Sequence, residues 1–223
     1  DGDVLNVGFG VAALVVTALA EQSRLGSVTL AIEQGLIGGT PVSGDLFGAS
    51  RGPRVVHPST TQFDLFAGGL LDVCALGMAQ VDATGAVNVS KIAGAIVGPG
   101  GFIDISQNSP RAVFCGTFTA RGLDVAVVDG ELVIRREGSV PKFVAAVDQV
   151  TYSAELALAQ GRSAVYVTER AVFEITDAGL VLTEVAPGID VARDILPHMG
   201  FTPLIDKPKV MNPALFAALT ASV

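Results

Sequence analysis

Thr29-Leu30-Ala31-Ile32-Glu33-Gln34-Gly35-Leu36-Ile37-Gly38-Gly39 is the stretch on which the fold turns. Val28 to Ile32 is an apolar, β-branched run that reads as a buried strand of an α/β sheet. It delivers one carboxylate, Glu33, at its carboxyl end, and a glycine-rich turn follows at once. Open α/β sheets bind ligands in the crevice beyond the carboxyl ends of their strands. Gly35, Gly38 and Gly39 would let a ligand come close to the backbone there. A carboxylate so placed can act as nucleophile, general base or ligand hook; the plainer alternative is a solvated residue at a strand end.

Outward from that strand, residues 3–7 read as a first strand and Gly8-Phe9-Gly10 as the turn after it, leading into a helix over 11–24 with Gly26 past its end. Gly35 to Pro58 holds six glycines and three prolines, the composition of a long functional loop rather than an element. A helix over 60–67, ended by Gly68-Gly69, and strands over 71–76 and 80–89 follow, the second broken at 83–85. Ala95-Ile96-Val97 reads as a buried strand opening into a second glycine turn, Gly98-Pro99-Gly100-Gly101, with a helix starting near Phe102. Arg111 to Gly116 is another strand. Asp129-Gly130 between two apolar runs marks a two-residue hairpin. Residues 164–168 and 171–175 form a further β pair around Glu169-Arg170, read as a structural ion pair. A strand over 180–184, a helix N-capped by Asp190 and a last one starting at Asn212-Pro213 complete the chain. With no repeat, low-complexity tract or linker, the pattern predicts one α/β domain over residues 1–223: an open, mostly parallel sheet with helices on both faces and a β-rich second half.

The totals narrow the function classes. Half of the 223 residues are apolar and 16% are charged, and mean hydropathy is +0.55. No apolar run reaches the roughly 18–20 residues of a membrane span, so the surplus points to surface buried against a partner. A formal charge of −8 argues against nucleic-acid binding, which rests on Lys and Arg neutralising phosphate. Cys74 and Cys115 lie in apolar runs and read as two buried free thiols in a reducing, cytoplasmic compartment. No signal peptide is visible, and a chain opening at Asp1 rather than Met leads us to expect residues upstream.

Several chemistries compete for the site. Gly8-Phe9-Gly10-Val11-Ala12-Ala13 satisfies G-x-G-x-x-A between a strand and a helix, and Glu33 lies 20 residues after Ala13, where a ribose-binding acid belongs. Against a nicotinamide enzyme stand the excess of glycine after Glu33 and the lack of a later group placed for hydride chemistry. His57 and His198 belong to no His/Cys cluster, so no metal site is expected. Ser43 and Ser59 lack a Gly-x-Ser-x-Gly elbow, and no P-loop occurs. The second glycine turn presents backbone N–H groups that can bind phosphate or an oxyanion; Pro99 has none, leaving Gly100, Gly101 and Phe102 as donors. Glycine turns and one carboxylate at strand ends fit acyl transfer more economically than a dinucleotide site.

At this point the residues resemble a known family, the family I coenzyme A transferases, in their C-terminal, β-type half and closest to the acetate or propionate branch. The segments carrying the resemblance are Glu33-Gln34-Gly35 with Gly38-Gly39, Phe63-Asp64 with Gly68-Gly69, Leu71-Asp72, and Val87-Asn88-Val89-Ser90-Lys91. Gly98-Pro99-Gly100-Gly101-Phe102, Phe114 to Ala120, Thr168 to Phe173 and Ala186 to Asp190 complete the set in family order. The resemblance implies that Glu33 is a covalent nucleophile toward the acyl-CoA thioester. It implies that the N–H of Gly101 supports the oxyanion, and that Gly8, Phe9, Gly10, Gly98 and Gly100 contribute to holding CoA. The family's first turn usually reads Gly-x-Gly-Ile-Pro; here Gly10-Val11-Ala12 lacks the proline.

On the same ground no permanently bound cofactor is expected. CoA or acyl-CoA and a carboxylate would be substrates, and short-chain acids the substrate class. The partners implied are the N-terminal, α-type half of the transferase and further copies in a homo-oligomer, with no nucleic acid and no membrane. A relative that only binds CoA or another metabolite is the alternative from a different class. Arg54, Lys91 and Lys142 are candidates for the CoA phosphates, each weighed against an ordinary solvated charge.

Overall fold

Period-2 alternation decides the centre of the molecule. Along Arg111–Cys115, Ala112 and Phe114 are buried while Val113 and Cys115 are half-covered. The neighbouring Ser163–Val167 repeats the pattern with Ala164 and Tyr166. One face of the sheet is therefore sealed and the other only partly covered. The computed structural model describes residues 2–42 and 44–217; Ser43 lies outside the described residues.

Ten strands make the main sheet: β1 Val4–Val7, β2 Thr29–Ile32, β3 Leu36–Ile37, β4 Val55–Val56, β5 Val73–Gly77, β6 Arg111–Cys115, β7 Ser163–Val167, β8 Ala171–Thr176, β9 Gly179–Val185 and β10 Leu204–Val210. Their order is β10-β9-β8-β7-β6-β5-β1-β2-β3-β4. The five central strands β7, β6, β5, β1 and β2 run parallel, with Leu5 beside Leu30 and Val73, and Cys115 beside Gly77. β8 and β9 turn back antiparallel and supply the β-rich end, and β3 and β4 do the same at the other edge.

Helices α1 Leu14–Glu21, α2 Ser59–Ala67, α3 Phe102–Asn108 and α4 Ala154–Ala159 lie in the connections between parallel strands. Right-handed crossovers place α1 on one face and α2, α3 and α4 on the other, because the chain moves one way from β1 to β2 and the opposite way from there to β5, β6 and β7. The main core agrees: Phe66 of α2, Phe102 and Ile105 of α3 and Ala154 and Ala157 of α4 join Cys74, Phe114, Tyr166 and Phe173 of the strands. α1 has no fully buried residue. On and around it Phe9, Val11 and Leu14 stay exposed, Phe9 to 70%.

Two expectations need correction. Gly35 to Pro58 is not a structureless loop. β2 reverses into β3 through Glu33, Gln34 and Gly35, with Ile32 paired to Leu36, and Thr40–Pro41 pairs with Ser50–Arg51. Gly35 has φ of +101°, the left-handed residue that a three-residue hairpin loop needs. Any Cβ there would also meet the His57 carbonyl oxygen, while the His57 N–H donates to the Gly35 carbonyl at 3.0 Å. Ala95–Ile96, for its part, is no buried strand: it pairs only with Lys91–Ile92 in a separate ribbon, and Ile96 is 82% exposed.

Asp129 and Gly130, both at positive φ, form the anticipated hairpin turn. Asp190 caps as expected, its carboxylate accepting from the Arg193 N–H, but the segment it opens, Val191–Ile195, is a π-helical turn followed by a 3-10 turn. The cysteines are unpaired. Cys74 is buried and its thiol is pushed up to about 12 by desolvation, whereas Cys115 is only half-buried.

Candidate active site

The loops after β1 and β5 leave the sheet toward opposite faces, so their carboxyl ends enclose a switch-point crevice. That crevice is a cleft of about 260 Å³ lined by Asn6, Gly8 and Phe9 after β1, Glu33 after β2, Gly77 at the end of β5, and Gly100 and Gly101 before α3. Sequence positions from 6 to 101 meet here because the parallel strands all end on one edge.

Each part has a reason for its position. Glu33 is the first residue of the β2–β3 hairpin loop and is half-buried. The Asn6 side-chain amide donates to the Ala31 carbonyl at 2.9 Å and to Glu33 Oε2 at 3.3 Å, tying the carboxylate to the neighbouring strand. Asn6 is 1% exposed and its Oδ1 has no partner. A Cβ on Gly8 would lie 3.0 Å from Leu76 Cδ2, the end of a side chain that would have to give way. Phe9 packs edge-on to Phe47, ring centroids 5.4 Å apart, and both rings border the cleft.

The second glycine turn is anchored from below. Phe102 stacks on Phe114 of β6 at 5.8 Å, and Phe63 of α2 lies so close to Gly101 that a Cβ would meet two of its ring carbons at 3.0 Å. The N–H groups of Gly100 and Gly101 engage no acceptor among the described residues. Phe102, expected as a third donor, gives its N–H to the Pro99 carbonyl at 3.1 Å, and Gly98 gives its own to the Ser90 carbonyl. Gly8, Phe9, Glu33, Gly100 and Gly101 are thus brought together, while Gly10 and Gly98 do not line the cleft. Asn6 was missed from the sequence; a lone amide inside the apolar run Val4-Leu5-Asn6-Val7 was the available signal, since a buried polar group requires a partner.

Lys91 and Lys142 line a separate cavity, away from the cleft, and the other candidate side chains make structural contacts. Arg54 packs against Gly38 and donates to Thr29 Oγ1 at 3.2 Å. Glu169 and Arg170 are ion-paired at 2.6 Å as read from the sequence, but at the β7–β8 turn and within a larger cluster. Arg170 is fully buried, binds Glu137 through two nitrogens and lies over the Phe118 ring at 4.8 Å. His57 holds its own loop through Nδ1 and the Pro58 carbonyl at 3.1 Å.

No family model matches the chain. Over 216 residues it is 44% identical to the acetate CoA-transferase YdiF of Escherichia coli (strain K12), covering 96% of this chain and 41% of that protein. It is 31% identical over 202 residues to the acetate CoA-transferase subunit beta of Escherichia coli (strain K12), covering 86% of this chain and 82% of that subunit. Among solved structures it superposes on the acyl-CoA transferase YdiF from E. coli O157:H7, described as a thioester complex with CoA, at a TM-score of 0.91 and 43% identity, over 97% of this chain and 41% of that one. The chain therefore spans about two fifths of the length of YdiF and most of the length of a β subunit.

Proposed function

We propose that this chain, which belongs to the family I coenzyme A transferases, is the half that carries the nucleophile for moving CoA between a short-chain acyl-CoA and a carboxylate. One observation carries the reading: a single carboxylate, Glu33, shares a switch-point cleft with two unengaged backbone donors, those of Gly100 and Gly101. The likeness to a CoA-thioester complex supports it.

In the proposed sequence a Glu33 carboxylate oxygen attacks the thioester carbonyl, the C–S bond breaks, and CoA leaves as its thiolate, giving an acyl-glutamyl anhydride. The thiolate then attacks Cδ of Glu33. The bond from Cδ to the acyl-borne oxygen breaks, the first acid departs as carboxylate, and a glutamyl-CoA thioester remains. A second carboxylate runs the steps in reverse, so no net proton or electron is exchanged. The negative charge that builds on the attacked carbonyl oxygen is what the Gly101 N–H, with Gly100 beside it, is assigned to stabilise; such a donor lowers the barrier by roughly 3–4 kcal/mol. Orientation of a half-buried, tethered carboxylate supplies much of the rest, about 7–11 kcal/mol in well-aligned cases.

The chain is assigned an α-type half as its partner. At about 260 Å³ the cleft falls below the roughly 300–1,000 Å³ of small-molecule sites, and the exposed Phe9 and partly exposed Phe47 side chains line it. Covering them would complete the walls around the acyl group.

Intact-protein and peptide mass analysis of the complete transferase incubated with acetyl-CoA tests the reading. The expected result is a CoA adduct on Glu33 that disappears when a carboxylate acceptor is added and never forms in Glu33→Ala. Binding of acetyl-CoA with neither adduct nor exchange would favour a CoA-binding relative instead.

A further inference from the structure

Phe47 belongs to a tight loop pressed against the turn that carries Glu33. The Val42 N–H donates to the Ala49 carbonyl at 2.9 Å, and the N–H groups of Phe47 and Ala49 donate to the carbonyls of Gly44 and Leu46, each at 3.0 Å. Gly48, at φ of +95°, lies so close to Gln34 that a Cβ would meet Cδ of that side chain at 2.8 Å. Gln34 directly follows Glu33. Phe47 is thereby carried into the cleft, where its ring meets that of Phe9 at an interplanar angle of 80°, an edge-on arrangement that aromatic pairs prefer.

The cleft therefore has two kinds of wall. The N–H groups of Gly100 and Gly101 offer donors to a carbonyl oxygen, whereas the rings of Phe9 and Phe47 offer only apolar surface. When Glu33 attacks, the carbonyl oxygen turns toward the glycine donors, leaving the sulfur and the acyl chain to take the two remaining directions. The arm attached to the sulfur is long and carries amide groups, which would lose their water against two phenyl rings without gaining a partner. The acyl chain of a simple short acid is apolar and ends in a methyl group. It suits the aromatic side, and the CoA arm leaves by the open side.

We infer that Phe47, braced by Phe9, limits the length of the acyl chain, for the acid released from the donor and for the acid that accepts CoA alike; the inference rests on the CoA-transferase reading above. Size sets the limit. A cleft of about 260 Å³ has the volume of a sphere about 8 Å across. A six-carbon acyl chain extends about 6 Å from its carbonyl carbon, at about 1.2 Å per bond, and the cleft must also hold the reacting carbonyl and the sulfur. Acetyl and propionyl groups fit within that width; a hexanoyl chain runs into the rings. The limit applies to both substrates because each acid in turn is the acyl half of the anhydride on Glu33. One wall thus sorts both half-reactions.

The complete transferase is assayed as two half-reactions: adduct formation from acetyl-CoA or hexanoyl-CoA without acceptor, and discharge of the adduct by acetate or hexanoate. In the parent the two-carbon substrate is expected to react faster in both. Phe47→Ala should raise the rate for the six-carbon substrate relative to the two-carbon one roughly tenfold, by a similar factor in the two halves. Phe47→Leu should fall between the parent and the alanine variant, and takes its place if the latter folds poorly. A ratio within twofold of the parent, a uniform loss at both chain lengths, a shift in one half-reaction only, or a parent that already favours hexanoyl-CoA would each overturn the inference. A parent that forms no adduct and exchanges no CoA would strike the CoA-transferase reading itself, so the two failures are distinguishable.

Discussion

The amide nitrogen of Asn6 lies 3.3 Å from Oε2 of Glu33, and it crosses from β1 to β2 to get there. This is a long hydrogen bond, yet Asn6 is held by a second, shorter one to the Ala31 carbonyl. The carboxylate thus has one fixed donor on its strand side. Asn6→Leu keeps the side-chain volume, deletes that donor and also removes the unpartnered Oδ1. We expect kcat to fall roughly tenfold with KM for the acyl-CoA changed less, and folding stability to fall by about 1–3 kcal/mol because the buried Ala31 carbonyl loses its donor. Steady-state kinetics beside a urea titration read both; an unaltered kcat would remove Asn6 from the positioning of Glu33.

Glu33→Asp is the stricter test of geometry. The hairpin loop and the Gly35–His57 contact fix the backbone, so a shorter side chain cannot be compensated by moving the turn. One missing methylene withdraws the carboxylate by about 1.3 Å, and a displacement near 1 Å costs on the order of 100-fold. Exchange in the variant should fall by about that factor with the far-ultraviolet circular dichroism unchanged. Near-parent exchange would mean that the attack geometry is looser than assigned.

Gly101→Ala asks whether the glycine turn is there for closeness. The φ of Gly101 is −82°, which any residue adopts, so backbone strain is not at issue. The added methyl would instead press on Cε1 and Cζ of Phe63 at 3.0 Å and on Ile105 Cδ1 at 3.3 Å. Relief requires the start of α3 to shift by a few tenths of an ångström, carrying the donor with it. The transfer rate should drop roughly tenfold, and Phe63→Leu in the same chain should restore part of it, a coupling that a double-mutant cycle measures. Additive losses would show that the two residues act independently.

What was legible in the sequence follows from how local the signal is. β1, β2, β5, β6 and β7 announce themselves because apolar runs of four to six residues ending in glycine or a polar residue are local patterns, and the Asp129-Gly130 turn is set by two residues alone. Glu33 was visible because a single carboxylate ends such a run. The ribbons between Gly35 and Pro58 were not, since strands of two residues owe their register to contacts such as His57 with Gly35, 22 positions apart. Ala95-Ile96-Val97 misled for a different reason: an apolar run is the same string whether it is buried in a sheet or exposed on a ribbon. The donor count of the second turn also needed three dimensions, because only the closed turn shows that Phe102 has given its N–H to Pro99.

The cluster around Arg170 gives a prediction about stability rather than catalysis. The guanidinium is fully buried and makes bonds of 2.6 and 3.0 Å to the two oxygens of Glu137. Burial would raise the Glu137 carboxyl, but hydrogen bonds from Arg170 and Thr119 outweigh it and hold the group below its ordinary value. A carboxylate depressed in the folded state contributes stability that is complete above its unfolded value and is lost as pH falls through the folded one. For Glu137 that loss begins below about pH 4.3. Glu137→Gln should therefore destabilise the protein at pH 7 by about 3 kcal/mol, the low end for breaking a buried pair because Glu137 is itself 23% exposed. The corresponding drop in Tm is roughly 6–12 °C. Lowering the pH should narrow the gap between parent and variant, since the parent then loses the same interaction. Thermal denaturation of both proteins from pH 7 down to pH 3.5 checks this, and a gap that stays constant over that range would show that the charge of Glu137 does not anchor Arg170.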